Sequence, residues 1–314
     1  MNKRALGQTG LVIAPLVLGG NVFGWTIDEK TSFSVLDAFV DHGFNAIDTA
    51  DAYSTWVSGH KGGESETIIG KWLKARPGLR DKVTVFTKVG SELGPDKKGL
   101  SEKWILQAVD DSLRRLQIEQ IDLYFSHWPD SGTPYEATLG AYAKLLEAGK
   151  IKSIGASNLD AEQLGTALQI AGDTGLPPYQ VLQPEYNLYD RASYDGALRD
   201  LCIEQGLGVV TYFSLASGFL TGKYRSKADL NKSQRGEDNE KYLTERGIKI
   251  LKTLDQVSNR HSAKPAEVAL AWLMAREGVT APIASATSVA HVDSFAKAAS
   301  LTLSDDEINE MNKL

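Results

Sequence analysis

Three apolar runs in this sequence each end on a side chain that can move a proton or hold a charge. GFNAIDTADAY (43–53) leads to Asp48 and carries Tyr53 five residues later, VTVFTKVG (83–90) closes with Lys88, and IDLYFSHWPD (121–130) closes with His127. A carboxylate, a phenol, an amine and an imidazole together can protonate a carbonyl oxygen near neutral pH. A ketone that accepts hydride develops alkoxide character and needs such a donor. A free Tyr, with a pKa of about 10, is too weak an acid to donate efficiently at pH 7. Bringing that value down by about 3 takes about 4 kcal/mol of preferential stabilisation of the phenolate. A buried Lys88 ammonium touching the phenol oxygen could supply much of it. Asp48 would be the countercharge of Lys88, and His127 would orient the substrate oxygen.

Those residues need a scaffold that brings strand ends together. Strand-like runs fall at 15–19, 45–48, 83–88, 122–126, 151–157, 181–183, 208–212 and 280–284, with helical patterns in the gaps. Ile68, Ile69, Trp72 and Leu73 recur at helical spacing; Trp104, Ile105, Ala108, Val109, Leu113 and Leu116 form one apolar stripe behind an N-cap at Ser101. Strict βα alternation predicts a parallel sheet with helical crossovers. Eight such units in 314 residues predict an α/β protein of the (β/α)8 TIM-barrel class, whose strand C-termini converge on one catalytic rim. No G-x-G-x-x-G follows the first strand, so the doubly wound dinucleotide fold loses its fingerprint. A short hairpin is expected before the barrel, and Ser304 with Glu307 predicts a capped C-terminal helix. The polar stretch from Gly218 to Tyr242 exceeds an ordinary connection and reads as a functional or mobile loop. We read residues 1–314 as one domain.

Composition narrows the function classes. Hydrophobic residues make up 42% and charged residues 24%, which fits a globular chain with a sizeable core. A net charge of −6 argues against a nucleic-acid binder. The single cysteine, Cys202, rules out an intramolecular disulfide and lies on an apolar helix face. Gly7–Gly10 and Pro15 interrupt the N-terminal apolar run, which reads as a hairpin and not a signal peptide. No apolar run approaches membrane-spanning length, so a cytoplasmic protein without a membrane partner is expected. Nothing in the sequence pattern fixes an oligomeric state.

With those residues in order, the chain resembles the aldo-keto reductase superfamily along nearly its full length. Asp48, Tyr53, Lys88 and His127 match that family's catalytic tetrad in order and in position relative to the strands. The resemblance implies hydride transfer from a nicotinamide cofactor to a small-molecule carbonyl substrate. It places Asn158 and Gln183 on the nicotinamide carboxamide, beside Ser157, with Gly20 and Asn21 at the close of the first strand. Tyr212 would stack on the nicotinamide ring. Ser214, Leu215, Ser217 and Gly218 would line the pyrophosphate, with Lys223 adding charge. Ser285, Thr287 and Ser288 would take ribose or its phosphate. His291 stands where the family often has Arg or Gln, and Ser294 and Phe295 replace its adenine-holding Glu-Asn pair. NADPH remains the first choice of cofactor that the resemblance implies, and these departures leave NADH open. Aromatics on the rim loops, Phe23, Trp25, Trp56 and Trp128, together with Asn21, are candidates for the substrate pocket.

Two other readings use the same residues. A barrel metallohydrolase could recruit Asp48, Asp51 and His127, but no H-x-H ends the first strand and the five histidines (42, 60, 127, 261 and 291) are scattered. We therefore expect no metal. A non-enzymatic regulatory subunit on the same fold, gripping a membrane protein, is compatible with an intact tetrad.

Overall fold

The computed structural model describes residues 2–314. A short antiparallel hairpin, β1 (Arg4–Ala5) and β2 (Val12–Ile13), precedes the alternating elements. These run β3 (Val17–Gly19), α1 (Glu29–Asp41), β4 (Ala46–Asp48), α2 (Glu64–Lys74), β5 (Thr84–Val89), α3 (Glu102–Leu116), β6 (Leu123–Ser126) and α4 (Tyr135–Glu147). They continue with β7 (Ile154–Ser157), α5 (Ala161–Thr174), β8 (Val181–Gln183), α6 (Ala197–Glu204), β9 (Gly208–Thr211), α7 (Glu245–His261) and α8 (Pro265–Ala275). The last elements are β10 (Ala281–Ala284), α9 (Val289–Ser300) and α10 (Asp305–Asn312). Strands β3 to β10 close into an eight-stranded parallel barrel, β10 pairing with both β3 and β9. All eight expected strands are present, most a residue or more shorter than their apolar runs.

Inside and outside follow a period of two. Val17, Ala46, Phe86, Leu123, Phe125, Val181, Val210, Ala281 and Ile283 form the barrel interior. Leu18, Ile47, Val85, Tyr124, Ala156 and Leu182, one residue out of phase, pack outward against the helices. Bulk alternates with its absence: a Cβ on Gly155 would lie 2.5 Å from the Phe125 ring, so glycine there lets that ring fill the barrel.

The hairpin seals the N-terminal end. Leu6 and Ile13 are fully buried within the interior cluster. Gly7, in the left-handed region at φ 54°, lies so close to the backbone of Gly208 that a Cβ would sit 2.3 Å from its nitrogen. Helix starts follow the sequence signals. Ser101 caps α3 by accepting from Trp104 N–H, and Ser304 with Glu307 forms a reciprocal capping box on α10. The stretch from Gly218 to Tyr242 is built of successive 3-10 turns, pinned by ion pairs such as Arg225–Asp255 and Lys227–Glu240. Cys202 is buried on the inner side of α6. Among the described residues no helix is long and apolar enough to cross a membrane.

Candidate active site

The barrel's period of two carries the chemistry to its open end. Asp48 continues the inward phase of Ala46 on β4, Lys88 that of Phe86 on β5, and His127 that of Phe125 just past β6. Each stands at the C-terminal end of its strand, where a parallel barrel presents its functional groups. Tyr53 reaches the same point from the turn after β4. The Lys88 ammonium donates to Asp48 Oδ2 at 2.7 Å, to the Tyr53 hydroxyl at 2.7 Å and to the Thr49 carbonyl at 2.8 Å. The Tyr53 hydroxyl donates to Asp48 Oδ2 at 3.1 Å. Lys88 is wholly buried and Asp48 nearly so, while the Tyr53 ring is half-buried at the rim. The His127 ring stands edge-on to Tyr53, with centroids 6.1 Å apart.

The electrostatics differ from the sequence expectation. Burial and then the adjacent Asp48 carboxylate push the Tyr53 phenol well above its ordinary value. The Lys88 ammonium that donates to the phenol is shared with Asp48, and its pull does not outweigh burial and that carboxylate. Lys88 itself is lowered by burial, against the opposing pull of Asp48. His127 is held well below 6.5 by burial and by Lys88, so it is neutral at pH 7. Its Nδ1 lies 3.0 Å from the Ser91 hydroxyl. A neutral ring accepting from Ser91 at Nδ1 carries its proton on Nε2, available to a substrate oxygen.

Amide side chains surround this cluster. Gln183 Nε2 donates to Asp48 Oδ1 at 2.9 Å, and the Ser157 hydroxyl donates to the Gln183 carbonyl at 2.7 Å. The Ser157 hydroxyl thus ties β7 to β8 and also accepts from Asn158 Nδ2 at 3.2 Å. Asn158, left-handed at φ 62°, donates to the His127 carbonyl and accepts from the Tyr212 hydroxyl at 2.7 Å. Beyond β9, Phe213, Ala216 and Ser217 all take positive φ, and Gly218 reaches 96°. Backbone held in this region is costly for residues with a Cβ and collects at functional sites. Within that segment the Ser214 hydroxyl donates to the Thr211 carbonyl at 2.9 Å, and Leu215 is half-buried. Across the barrel mouth Ser285 donates to Asn21, and a Cβ at Gly20 would sit 2.9 Å from Ser65 Oγ. Ser288 leads into α9 with its hydroxyl making no cap bond.

Residues 15–314 match the Aldo/keto reductase family. The chain belongs to this family. Among its relatives, an uncharacterized oxidoreductase, YrpG, of Bacillus subtilis is 34% identical over all of this chain and 96% of its own. The aldo-keto reductase YhdN of the same organism is 30% identical over all of this chain and 93% of its own. A probable voltage-gated potassium channel subunit beta of Arabidopsis thaliana is 31% identical over 95% of this chain and 91% of its own. Aldo/keto reductases are oxidoreductases that use nicotinamide cofactors, and the groups around this rim suit one. They comprise a buried and a half-buried amide, a left-handed backbone segment and, outside it, a cluster of cations.

Those cations modify the sequence reading at His291. Its Nδ1 accepts from Thr287 N–H at 3.2 Å, and burial together with Lys223 and Lys264 lowers its pKa. It is therefore uncharged at neutral pH, and positive charge at this end comes from Lys223 and Lys264. Lys264, which precedes Pro265 at the start of α8, went unnoticed in the sequence because it lies 27 residues before His291.

On the substrate side, Trp56 and Trp128 are about half exposed at the rim, and Trp25 meets Trp56 edge-on at 5.3 Å. Phe23 is not a pocket wall. It is fully buried in the outer core, where α2 packs over the 3-10 turn at Gly20–Val22. Two residues missed in the sequence also belong here. Ser91 holds His127, and Arg235, from the long polar stretch, stacks its guanidinium 4.8 Å from the Trp25 ring centroid. No carboxylate lies within ion-pairing distance of Arg235 among the described residues, and its charge is felt at Tyr53. Only the fold back from the 3-10 turns brings it there, so no local motif announces it. Asp48, paired with Lys88, and Asp51, which opens on a different cavity, do not converge with His127. Among the described residues no three His, Cys, Asp or Glu side chains form a metal-holding group.

Proposed function

We propose that this protein is an NADPH-dependent reductase of aldehydes or ketones, with Tyr53 as the general acid. The observation that carries the reading is the Tyr53 hydroxyl, hydrogen-bonded to Lys88 at 2.7 Å and Asp48 at 3.1 Å at the barrel's C-terminal rim. The bound cofactor would supply hydride to the carbonyl carbon. The chain's own residues supply the rest. His127 Nε2–H and the Tyr53 hydroxyl converge on the carbonyl oxygen, and Tyr53 releases its proton as the oxygen gains negative charge. The Lys88 ammonium stabilises the phenolate left behind until solvent restores the proton. Asn158 and Gln183 would face the carboxamide and Tyr212 the ring. Lys223 and Lys264 are suited to the phosphates, Arg235 adds positive charge on the substrate side, and the rim tryptophans give the pocket an apolar wall.

The direction of the Tyr53 shift makes this testable with a panel of carbonyls and alcohols under NADPH and NADP. A raised phenol stays protonated through neutral and mildly alkaline pH, so carbonyl reduction should be flat from about pH 6 to 9. Alcohol oxidation needs the phenolate, whose fraction grows about tenfold per pH unit below the pKa, so it should climb over the same range. A reduction rate falling with an apparent pKa between 6 and 8 would assign the proton to another group. Turnover above the Tyr53→Phe background also separates this reading from a purely regulatory role of the kind suggested by the name of the Arabidopsis relative.

Cofactor choice gives a second expectation. With His291 neutral, NADPH affinity should vary little between about pH 6.5 and 8.5. Lys264→Gln should weaken NADPH binding by about tenfold or more, the scale of a charge-assisted hydrogen bond, and leave NADH binding nearly unchanged. Fluorescence titrations decide it. Equal losses for both cofactors would move Lys264 off the 2′-phosphate, and NADPH affinity falling through pH 6 to 7 would return the charge to His291.

A further inference from the structure

Every arginine but one gives its guanidinium to a carboxylate or carbonyl oxygen of the protein. Arg235 is the exception. Among the described residues its guanidinium has neither a hydrogen-bond acceptor nor an ion-pair partner, although the side chain is half-buried. Asp238, exposed three residues further on, acts on it only at longer range.

The chain is tied down around this side chain. Asn239, fully buried, donates from Nδ2 to the Arg235 carbonyl at 2.6 Å and to the Ser217 carbonyl at 3.3 Å. Gly236 packs so tightly on Leu230 that a Cβ would lie 1.4 Å from the Leu230 carbonyl oxygen. The guanidinium so placed stacks 4.8 Å from the Trp25 ring centroid. Trp25 meets Trp56 at 5.3 Å, and Trp56 lies 6.2 Å from the Tyr53 ring. Arg235 and Tyr53 therefore stand at two ends of one aromatic wall, and the charge of Arg235 acts on Tyr53.

Stacking uses the face of a guanidinium and leaves its edge, where the N–H donors lie, free. That edge matches a carboxylate or phosphate through two parallel hydrogen bonds. The charge on this wall is single. No other cation stacks on Trp25, Trp56 or Trp128, and Lys88 is already paired with Asp48. One guanidinium balances one carboxylate, whereas a phosphate monoester, at about −1.5 to −2, would stay partly uncompensated.

We propose that Arg235 is a specificity-determining residue, which receives a carboxylate carried by the carbonyl substrate at the end remote from the reacting carbon. The preferred substrates are then aldehyde or ketone acids whose spacer lies along the Trp25 and Trp56 indoles. This inference rests on the reductase reading.

The test compares two aldehyde acids, 4-oxobutanoate and 4-formylbenzoate, with their methyl esters, which remove the charge. With NADPH, the wild-type protein should favour at least one acid over its ester in kcat/KM. Arg235→Gln should lower that acid-to-ester ratio by about tenfold or more, the scale of a charge-assisted hydrogen bond. The loss should lie in KM, because the contact is remote from the reacting carbon. Arg235→Glu should lower the ratio further. Esters preferred in the wild type, or a ratio that Arg235→Gln leaves unchanged, overturns the proposal. So does a loss of NADPH affinity, titrated without substrate, as large as the loss on the acid, since Arg235 would then serve the cofactor. Glyceraldehyde 3-phosphate favoured over both acids by an Arg235-dependent margin would put phosphate in place of carboxylate and overturn it too.

If neither acids nor esters are reduced, the reductase reading fails and binding decides alone. 4-Formylbenzoate is titrated to about 20 mM, enough to read millimolar affinities, into the ¹⁵N-labelled full-length protein with NADP and without it. The Trp25 indole N–H resonance, assigned by its loss in Trp25→Phe, should shift saturably, and Arg235→Gln should weaken that binding about tenfold. No saturable shift at Trp25, or equal binding by the variant, overturns the proposal.

Discussion

Tyr53→Phe should lower kcat for carbonyl reduction by about 10² to 10⁴, the usual contribution of a positioned general acid. The substitution removes one oxygen, the only one that both touches the Lys88 ammonium and faces the open rim. The ring itself, edge-on to His127 and packed near Trp56, is retained. Cofactor affinity should therefore change by less than about threefold, because the groups assigned to the cofactor stand on other strands. Stopped-flow single turnovers beside equilibrium fluorescence titration separate the two quantities. A variant keeping more than about a tenth of wild-type kcat would remove Tyr53 from the role.

Lys88→Met should abolish activity to a similar extent and, unlike Tyr53→Phe, should also destabilise the fold. It strips the ammonium from a carboxylate that is 1% exposed, leaving Asp48 with only the Gln183 amide and the Tyr53 hydroxyl. Breaking a buried pair in this way costs about 3–5 kcal/mol. Adding Asp48→Asn neutralises the stranded charge, so the double variant should regain much of that stability and none of the activity. Urea midpoints and kcat/KM on the same preparations read both effects. Tyr53→Phe combined with Lys88→Met should be little worse than either alone, since residues acting as a unit do not add. Recovery of turnover together with stability, or fully multiplicative losses, would show that Lys88 acts as a structural ion-pair partner and not on the phenol.

The barrel and the tetrad were both legible in the linear chain, for one shared reason. Strand sequences carry their own period, and a side chain that ends a buried run must lie at the strand's end. Asp48, Lys88 and His127 could thus be placed on one rim from spacing alone, before any contact was known. The same local logic placed Ser101 and Ser304 as caps, because capping spans only three residues.

What the sequence could not settle depended on partners far apart in the chain. The Tyr53 phenol was expected to be acidified by Lys88. Its shift upward follows from its own burial and from the adjacent Asp48 carboxylate, a balance that composition and spacing do not encode. Phe23 had the chemistry of a pocket wall, and only the folded chain shows it fully buried in the outer core. Arg235 over Trp25, Lys264 beside His291 and Ser91 on His127 join residues 210, 27 and 36 positions apart. The sequence by itself determined the order of strands and which side chains end them, because those are fixed within a few residues by periodicity. Tertiary structure alone decided the charge states and left the Arg235 guanidinium unmatched, because desolvation and Coulomb energies are set by what the folded chain brings within a few ångströms.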